Sequence, residues 1–406
     1  MTKNKKNFIL EDHINKDYFK KKLHPKDKIK LNKIIKIIYE NLDNKKDTFH
    51  ILSKKFIFNY EYFNLKKFEK YKSVILIGMG GSVLGSHSIY TFLKHKIKKN
   101  FIFLDNLDQS KIEHVRKKVN LKASLFIIIS KSGNTIETLI NSNLFKNDIS
   151  SKNSIIITEQ KNNLLNTFGV KKNILQIPHK FYLGGRYSVL SEVGMVPAYF
   201  MGLNVKNFRN KLLSFLNTKQ NLILSESIVK LAHIYNAKKI KSIVLLNYAP
   251  QLNDFLYWCQ QLIAESLGKK GKGILPVISS APRDHHSLLQ LYLDGPKDKL
   301  FYIFSLDLNK SMKINNNIFG KSFEFVKNKE LSKIITSQKK ALTTVLKKKN
   351  IPFKEFKINK IDEETLGELF SYFVLETALL GKLIGINPFN QPAVEEVKIL
   401  TKQYLN

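Results

Sequence analysis

Short apolar runs of four or five residues, mostly Ile, Val, Leu and Phe, recur along the chain between stretches with helical spacing. After Lys72 they fall at 74–77, 101–104, 125–129, 154–157 and 174–177. Continuous apolar runs of strand length fit strands buried on both faces, as in parallel sheets. Helical patterns at 110–119 and 135–146 separate the earlier runs. Repeated strand–helix alternation predicts a doubly wound α/β sheet. The pattern then restarts, with strands expected at 242–246, 274–278, 300–304 and 353–356. Helical segments at 225–235, 252–267, 330–349 and 363–384 accompany them. The fold class is therefore α/β: two doubly wound domains with parallel sheets, over 72–205 and 206–386, meeting near 202–217. Residues 1–71 are expected to form a helical N-terminal extension. Residues 387–406 are expected to be a turn, marked by Asn387-Pro388 and Gln391-Pro392, and a final helix over 393–405.

Composition narrows the class. A chain of 406 residues has room for two cores. Its single cysteine, Cys259, excludes an internal disulfide and a cysteine-cluster metal site, so a reducing, cytoplasmic setting is expected. The first ten residues hold an apolar run too short for a secretory signal. The most apolar stretch, 369–386, is interrupted by Glu376, Lys382 and two glycines, and reads as a buried helix, not a membrane span. The net charge of +35 raises the question of nucleic acid. Only four of the 68 basic residues are arginine, the residue that base and phosphate readers favour, and the lysines spread along the whole chain. We read a solvated lysine coat that favours anionic substrates, with no specific nucleic-acid or membrane partner.

Two loops carry candidate phosphate chemistry. The first strand ends in Gly78-Met79-Gly80-Gly81-Ser82-Val83-Leu84-Gly85, where backbone N–H groups can approach an anion at a helix start. A dinucleotide fingerprint would need glycine in place of Val83, and a P-loop would need lysine in place of Ser86, so a nucleotide is not supported. The third strand ends in Ser130-Lys131-Ser132-Gly133-Asn134-Thr135-Ile136-Glu137-Thr138, with hydroxyls clustered at another helix start. Taken alone, the first loop could be a tight turn with no ligand, and the second is equally a set of helix caps. Both follow strands of one domain, where open α/β sheets bind ligands.

Candidate acid/base groups lie further on. Phe255, Trp258, Leu262 and Glu265 share one helical face, and burial against apolar groups would raise a carboxyl pKa toward that of a general base. A solvent-facing last turn is the plain alternative. Arg186, after Gly184-Gly185, could stabilise an oxyanion or form a structural salt bridge. His285 and His286 are adjacent, and no further motif supports a metal site. Lys398 alone would be one more surface lysine. No cofactor and no metal are expected.

The paired loops resemble the sugar isomerase (SIS) domain. The ordered set GMGGSVLG, SKSGNTIET, GGRYS, AESLGK, HHSLLQLYLDGP and FNQPAVEEVK resembles the glucose-6-phosphate isomerase family from about residue 74 to the C-terminus. The resemblance implies reversible isomerisation of glucose 6-phosphate and fructose 6-phosphate through a cis-enediolate, in glycolysis and gluconeogenesis. It implies Glu265 as the proton-carrying base and Arg186 as stabiliser of the enediolate. It implies His286 and Lys398 in ring opening. Gly81, Ser82, Ser130, Lys131, Ser132 and Thr135 would then contact phosphate, and Glu137 and Gln391 the sugar. A homodimer is implied, with the histidine reaching into the neighbouring subunit's site. The chain departs from the family pattern at Phe181, Asn390 and Ala393. The alternative is a non-catalytic SIS-domain regulator that binds phosphosugars.

Overall fold

Two five-stranded sheets organise the chain, in a computed structural model that describes residues 6–15, 25–307 and 311–405. The chain begins with β1 (Phe8–Asp12), α1 (Pro25–Glu40) and α2 (Tyr62–Lys66). The first sheet region follows as β2 (Ser73–Gly78), α3 (Leu84–Phe92), β3 (Asn100–Leu104), α4 (Gln109–Lys118), β4 (Ser124–Ile129), α5 (Ile136–Leu144), β5 (Ser154–Thr158), α6 (Leu164–Lys171) and β6 (Leu175–Pro178). Helices α7 (Glu192–Phe200) and α8 (Thr218–Ala237) lead to the second region. That region holds β7 (Ser242–Asn247), α9 (Asn253–Leu267), β8 (Leu275–Ser280), α10 (Leu289–Asp294), β9 (Lys299–Leu306), α11 (Leu331–Lys348) and β10 (Phe353–Ile358). Helices α12 (Glu363–Leu383) and α13 (Glu395–Tyr404) complete it.

Each apolar run read from the sequence is a strand, with ends displaced by at most two residues. The central strand β4 is buried at every position, as a strand covered on both faces requires. The first sheet has the order β3-β2-β4-β5-β6, all parallel. From β2 the chain crosses to β3 on one side and then to β4 on the other. That reversal opens a crevice at the carboxyl ends of β2 and β4, where Gly78 lies opposite Ile129.

The second sheet repeats the order as β8-β7-β9-β10, but its outer strand is β1. β1 runs antiparallel to β10, from Phe8 opposite Ile358 to Asp12 opposite Lys354. This corrects two expectations: the N-terminal extension is not wholly helical, and the second sheet is not wholly parallel. The strand caps an otherwise open edge, and Phe8 anchors it by stacking on Phe215 at 5.5 Å. The parts of the extension at 1–5 and 16–24 lie outside the described residues, as does Asn406.

One core runs through both regions. Helix α9 belongs to the second region by sequence, yet it packs along α3 of the first. Its residues Phe255, Trp258 and Leu262 are fully buried, which fixes its rotation. Its last turn is thereby delivered to the crevice of the first sheet. The apolar stretch singled out in the sequence forms α12, buried on almost every face. Among the described residues no helix is long and apolar enough to cross a membrane.

Candidate active site

Arg186 sits in a 3₁₀ turn, Gly185–Tyr187, with its side chain buried. A guanidinium has five N–H donors and no acceptor. Here every donor has a destination. Nε donates to Ser266 Oγ at 2.8 Å, and Nη2 donates to the carbonyls of Pro388 at 2.7 Å and Asn390 at 2.9 Å. Nη1 donates to Glu265 Oε2 at 3.1 Å and to the Gln391 side-chain oxygen. Tyr187 reinforces the arrangement, its hydroxyl donating to the Pro388 carbonyl at 3.1 Å and meeting Ser266 Oγ at 2.8 Å. Burial pushes the Tyr187 phenol up to about 12.

Glu265 occupies the last turn of α9. Its side chain is 31% exposed, against 1% for Arg186. Oε2 accepts from Arg186, and Oε1 accepts from Gln261 Nε2 at 3.0 Å, one turn back on the same helix. The expected apolar setting is therefore not what the structure shows. The apolar residues of that face point into the core, and the carboxylate ends at the rim between a fixed cation and a fixed amide. Among these neighbours the carboxylate keeps an open side, as a group that must reach a substrate requires.

Two contacts tie this pair to the glycine-rich turn. Gly80 has a positive φ of +50°, and a Cβ there would lie 2.7 Å from Gln261 Nε2. A Cβ on Gly81 would lie 2.2 Å from the Gly185 carbonyl carbon and 2.5 Å from the Arg186 nitrogen. Only glycine lets the two backbones approach this closely. Ser82 follows, half-buried, just ahead of the first turn of α3.

The second loop lies beside the first because β4 pairs with β2. Ser130 is buried; its Oγ lies 3.0 Å from Thr135 Oγ1 and accepts from the Gly133 N–H. Ser132 is exposed, and its Oγ accepts from the Asn134 N–H. Thr135 precedes α5 without a side-chain cap bond, and Glu137 stands half-buried in that helix's first turn. Lys131 donates to the Phe181 carbonyl at 2.9 Å and pairs with Glu159 at 3.5 Å. Burial, with Lys161 and Arg186 nearby, holds the Lys131 pKa below the usual lysine value despite Glu159. A cleft of 630 Å³ lies beyond this lysine, walled by Glu159, His179 and Phe181; Glu265 and Arg186 are not part of its lining. Lys269, just past α9, is held down to about 8 by burial and by the Arg186 charge. Lys131 and Lys269 each feel the Arg186 charge, so positive charge gathers around the arginine near two helix starts, a setting suited to an anion.

Among the described residues neither His286 nor Lys398 bonds to Glu265 or Arg186 within one chain, although α13 lies beside the second loop, with Lys402 sharing a pocket wall with Asn134 and Ile136. His286 is exposed in the turn after β8, whereas Glu265 lies near the start of that strand. The whole of β8, six residues and about 20 Å long, lies between the two in the chain. His285 is the more enclosed of the pair: Tyr248 Oη lies 2.7 Å from its Nε2, and burial with the His286 charge lowers its pKa. Lys398 lies on α13, 56% exposed and bonded to Glu395 at 2.7 Å. None of the residues of α13 is buried.

Three participants went unassigned in the sequence reading. Gln261 could have been found, because it stands four residues before Glu265 on the same helical face. Ser266 and Lys269 were inside a quoted motif but carried no separate signal. Two of the three family departures are also explained, and nothing in the structure explains Ala393. Phe181 and Asn390 use their backbone carbonyls, for Lys131 and Arg186 respectively, so their side chains are free to vary. For metal, Glu11, His13 and Glu355 bring ligand atoms within 4.8 Å of one another at the far edge of the second sheet. Their carboxylates are already engaged by Lys357 at 2.6 Å and Lys339 at 3.1 Å.

A family model described as phosphoglucose isomerase matches residues 10–276. The chain is 34% identical over 384 residues to the glucose-6-phosphate isomerase of Methanocaldococcus jannaschii, covering 89% of this chain and 91% of that one. It is 32% identical to the glucose-6-phosphate isomerase of Campylobacter jejuni, over 83% and 86% of the two chains. Among solved structures, a hypothetical protein from Thermus thermophilus superposes with a TM-score of 0.84 at 21% identity, over 98% of this chain and 100% of that one. A glucose-6-phosphate isomerase from Chlamydia trachomatis superposes with a TM-score of 0.71 at 20% identity, over 85% and 71%. At such identities the superpositions speak for the fold.

Proposed function

The chain belongs to the phosphoglucose isomerase family, and on that premise we propose that it interconverts glucose 6-phosphate and fructose 6-phosphate by proton transfer through a cis-enediolate. The observation that carries this reading is the Glu265–Arg186 pair held against the Gly80–Gly81 turn. The phosphate is gripped by the Gly81–Ser82 backbone and by Ser130, Lys131, Ser132 and Thr135, so remote binding energy orients C1 and C2. Gln391 and Glu137 contact the sugar. After ring opening exposes the C1 carbonyl, the Glu265 carboxylate takes the proton from C2. The released electron pair forms the C1–C2 double bond, and negative charge moves to O1. Arg186 faces that charge with a guanidinium that needs no reorientation. Glu265 then returns the proton to C1, while the proton on O2 passes to O1, leaving a ketone at C2 and a hydroxyl at C1.

Ring opening is assigned to His286 of a second copy of the chain and to Lys398. The exposure of His286 at the opposite end of β8 supports a shared homodimeric site. Exposed Val397, Leu400 and Tyr404 on α13 support its docking over the crevice. The buried free Cys259 agrees with a cytoplasmic setting. A non-catalytic regulator would have no use for a base fixed by an arginine, and the relatives 32–34% identical to this chain are named as isomerases.

Incubating the protein with fructose 6-phosphate in deuterated water tests the reading. Repeated turnover at a base open to solvent should place deuterium at C2 of glucose 6-phosphate. No interconversion would remove the function, and conversion without label at equilibrium would remove the enediolate route.

A further inference from the structure

Arg186 spends three of its five donors on the 387–391 turn, through the Pro388 and Asn390 carbonyls and the Gln391 side chain. Its position is therefore only as fixed as that turn. The turn follows Gly385, whose φ of +77° ends α12, and Asn387, Asn390 and Gln391 are exposed. Its packing comes from Pro388 against Gly381 and from Phe389, edge-on to Tyr187 at 5.3 Å and to Phe49 at 5.7 Å. One polar tie comes from the opposite side. Lys269, four residues after Glu265, donates from Nζ to the Asn387 carbonyl at 2.7 Å.

Resting on the isomerase reading, we infer that Lys269 is a positioning residue that clasps the 387–391 turn to the end of α9, so that Arg186 and Gln391 stay in register with Glu265. The clasp joins two segments separated by more than a hundred residues. It also closes a ring of contacts: Glu265 to Arg186, Arg186 to the turn, the turn to Lys269, and Lys269 back along four residues of backbone to Glu265. A neighbouring lysine provides the contrast. Lys272 donates to the Ile384 carbonyl at 2.8 Å, and Lys30 to the Leu383 carbonyl at 3.0 Å. Both satisfy orphan carbonyls at the end of α12, the ordinary place for a basic cap. Neither touches the segment that Arg186 holds. The cluster of basic side chains at this corner thus divides into two helix caps and one clasp.

The test compares the full-length wild type with Lys269→Met, Lys269→Arg and Lys272→Met. Two quantities are measured: steady-state isomerisation of fructose 6-phosphate, and hydrogen exchange of the Asn387, Phe389, Asn390 and Gln391 amides without substrate. Lys269→Met should lower kcat by about ten- to a hundredfold, the scale of a small misplacement of catalytic groups. KM should change less than threefold, because the phosphate loops are untouched, and exchange in the turn should rise. Lys269→Arg, which can still donate to the carbonyl, should restore most of both. Lys272→Met should lower thermal stability while keeping kcat. Wild-type kcat in Lys269→Met, or unchanged exchange in its turn, overturns the clasp. So does Lys269→Arg behaving like the methionine variant while melting as the wild type does. An inactive wild type would count against the isomerase reading, and the exchange data would then still decide whether the clasp exists.

Discussion

The two sheets share one strand order and therefore each have a crevice where the winding reverses, yet their crevices are built differently. After β2 and β4 the chain turns through glycines and hydroxyls, with Gly80 and Gly133 at positive φ. After β7 it enters Tyr248, Ala249 and Pro250, where Tyr248 and Ala249 are buried and the tyrosine is engaged by His285. That second turn has no glycine to allow the close backbone approach that Gly81 makes. Strand order marks two places where a ligand could sit; loop chemistry selects one of them. The second region contributes differently, by sending α9 and the 387–391 turn across to the first crevice. On the proposed function, one region holds the phosphate and the other supplies the base.

The sharpest way to break this division is Glu265→Gln. The amide keeps the shape and can still accept from Arg186, but it cannot take a proton. Turnover should fall by about 10²–10⁴, the usual worth of a positioned general base. The melting temperature should hardly move, because the side chain is partly exposed and Arg186 keeps its other four acceptors. Near-wild-type kcat would show that the second region does not supply the base.

The polar groups buried in the second region serve its stability, and Lys354→Met should show it. Lys354 and Glu376 form a buried ion pair between β10 and α12. The Tyr302 hydroxyl donates to Glu376 Oε1 at 3.0 Å, and Tyr372 donates to Oε2. Removing one charge from such a pair typically costs about 3–5 kcal/mol, because the other stays buried and unpaired. Lys354→Met/Glu376→Leu should recover part of that loss. Full recovery is not expected, since each tyrosine hydroxyl left unpaired costs about 1–3 kcal/mol. Activity per folded molecule should be unchanged in both. Denaturant titration gives the stabilities, and a double variant less stable than the single one would refute the account.

These contrasts also mark what could be read in advance. Strands such as 125–129 were legible because a run buried on both faces must be apolar throughout. β1 was not, because Phe8–Asp12 reads FILED, and only its pairing with β10 makes an edge strand of it. In the site, Glu265 and Arg186 could be placed only by resemblance, since a charged residue near a turn is ordinarily a surface group. Their actual setting depends on main-chain acceptors at Pro388 and Asn390, some two hundred residues from Arg186 in sequence. Carbonyl oxygens are identical for every residue type, so no side-chain pattern announces them. Lys398 shows the converse: a position matched by motif that sits on an exposed helix, beside the second loop but bonded, among the described residues, only to its own neighbour Glu395.

A smaller effect should come from His87, which joins the two regions at the far end of α9. Its Nε2 lies 3.0 Å from Asp105, at the end of β3, and its Nδ1 lies 3.8 Å from Asp254, in the first turn of α9. Thr91 also donates to Asp254, and Lys111 pairs with Asp105 at 3.1 Å. Burial alone would lower the His87 pKa, but the hydrogen bonds and charges of the two aspartates outweigh it and the net shift is upward. A histidine with a raised folded pKa stabilises most fully below its unfolded value of about 6.5, and loses that contribution as pH climbs through the folded value. Hydrogen bonds to a charged group contribute about 1.5–3 kcal/mol, so His87→Gln should be less stable than wild type by that order near pH 6. The gap should narrow steadily as pH rises through the folded value, where the wild-type imidazole loses its proton. Thermal melts of both proteins across that range measure it. A gap that widens with pH would mean that His87 is held neutral, and that the tie between β3 and α9 is not an ionic one.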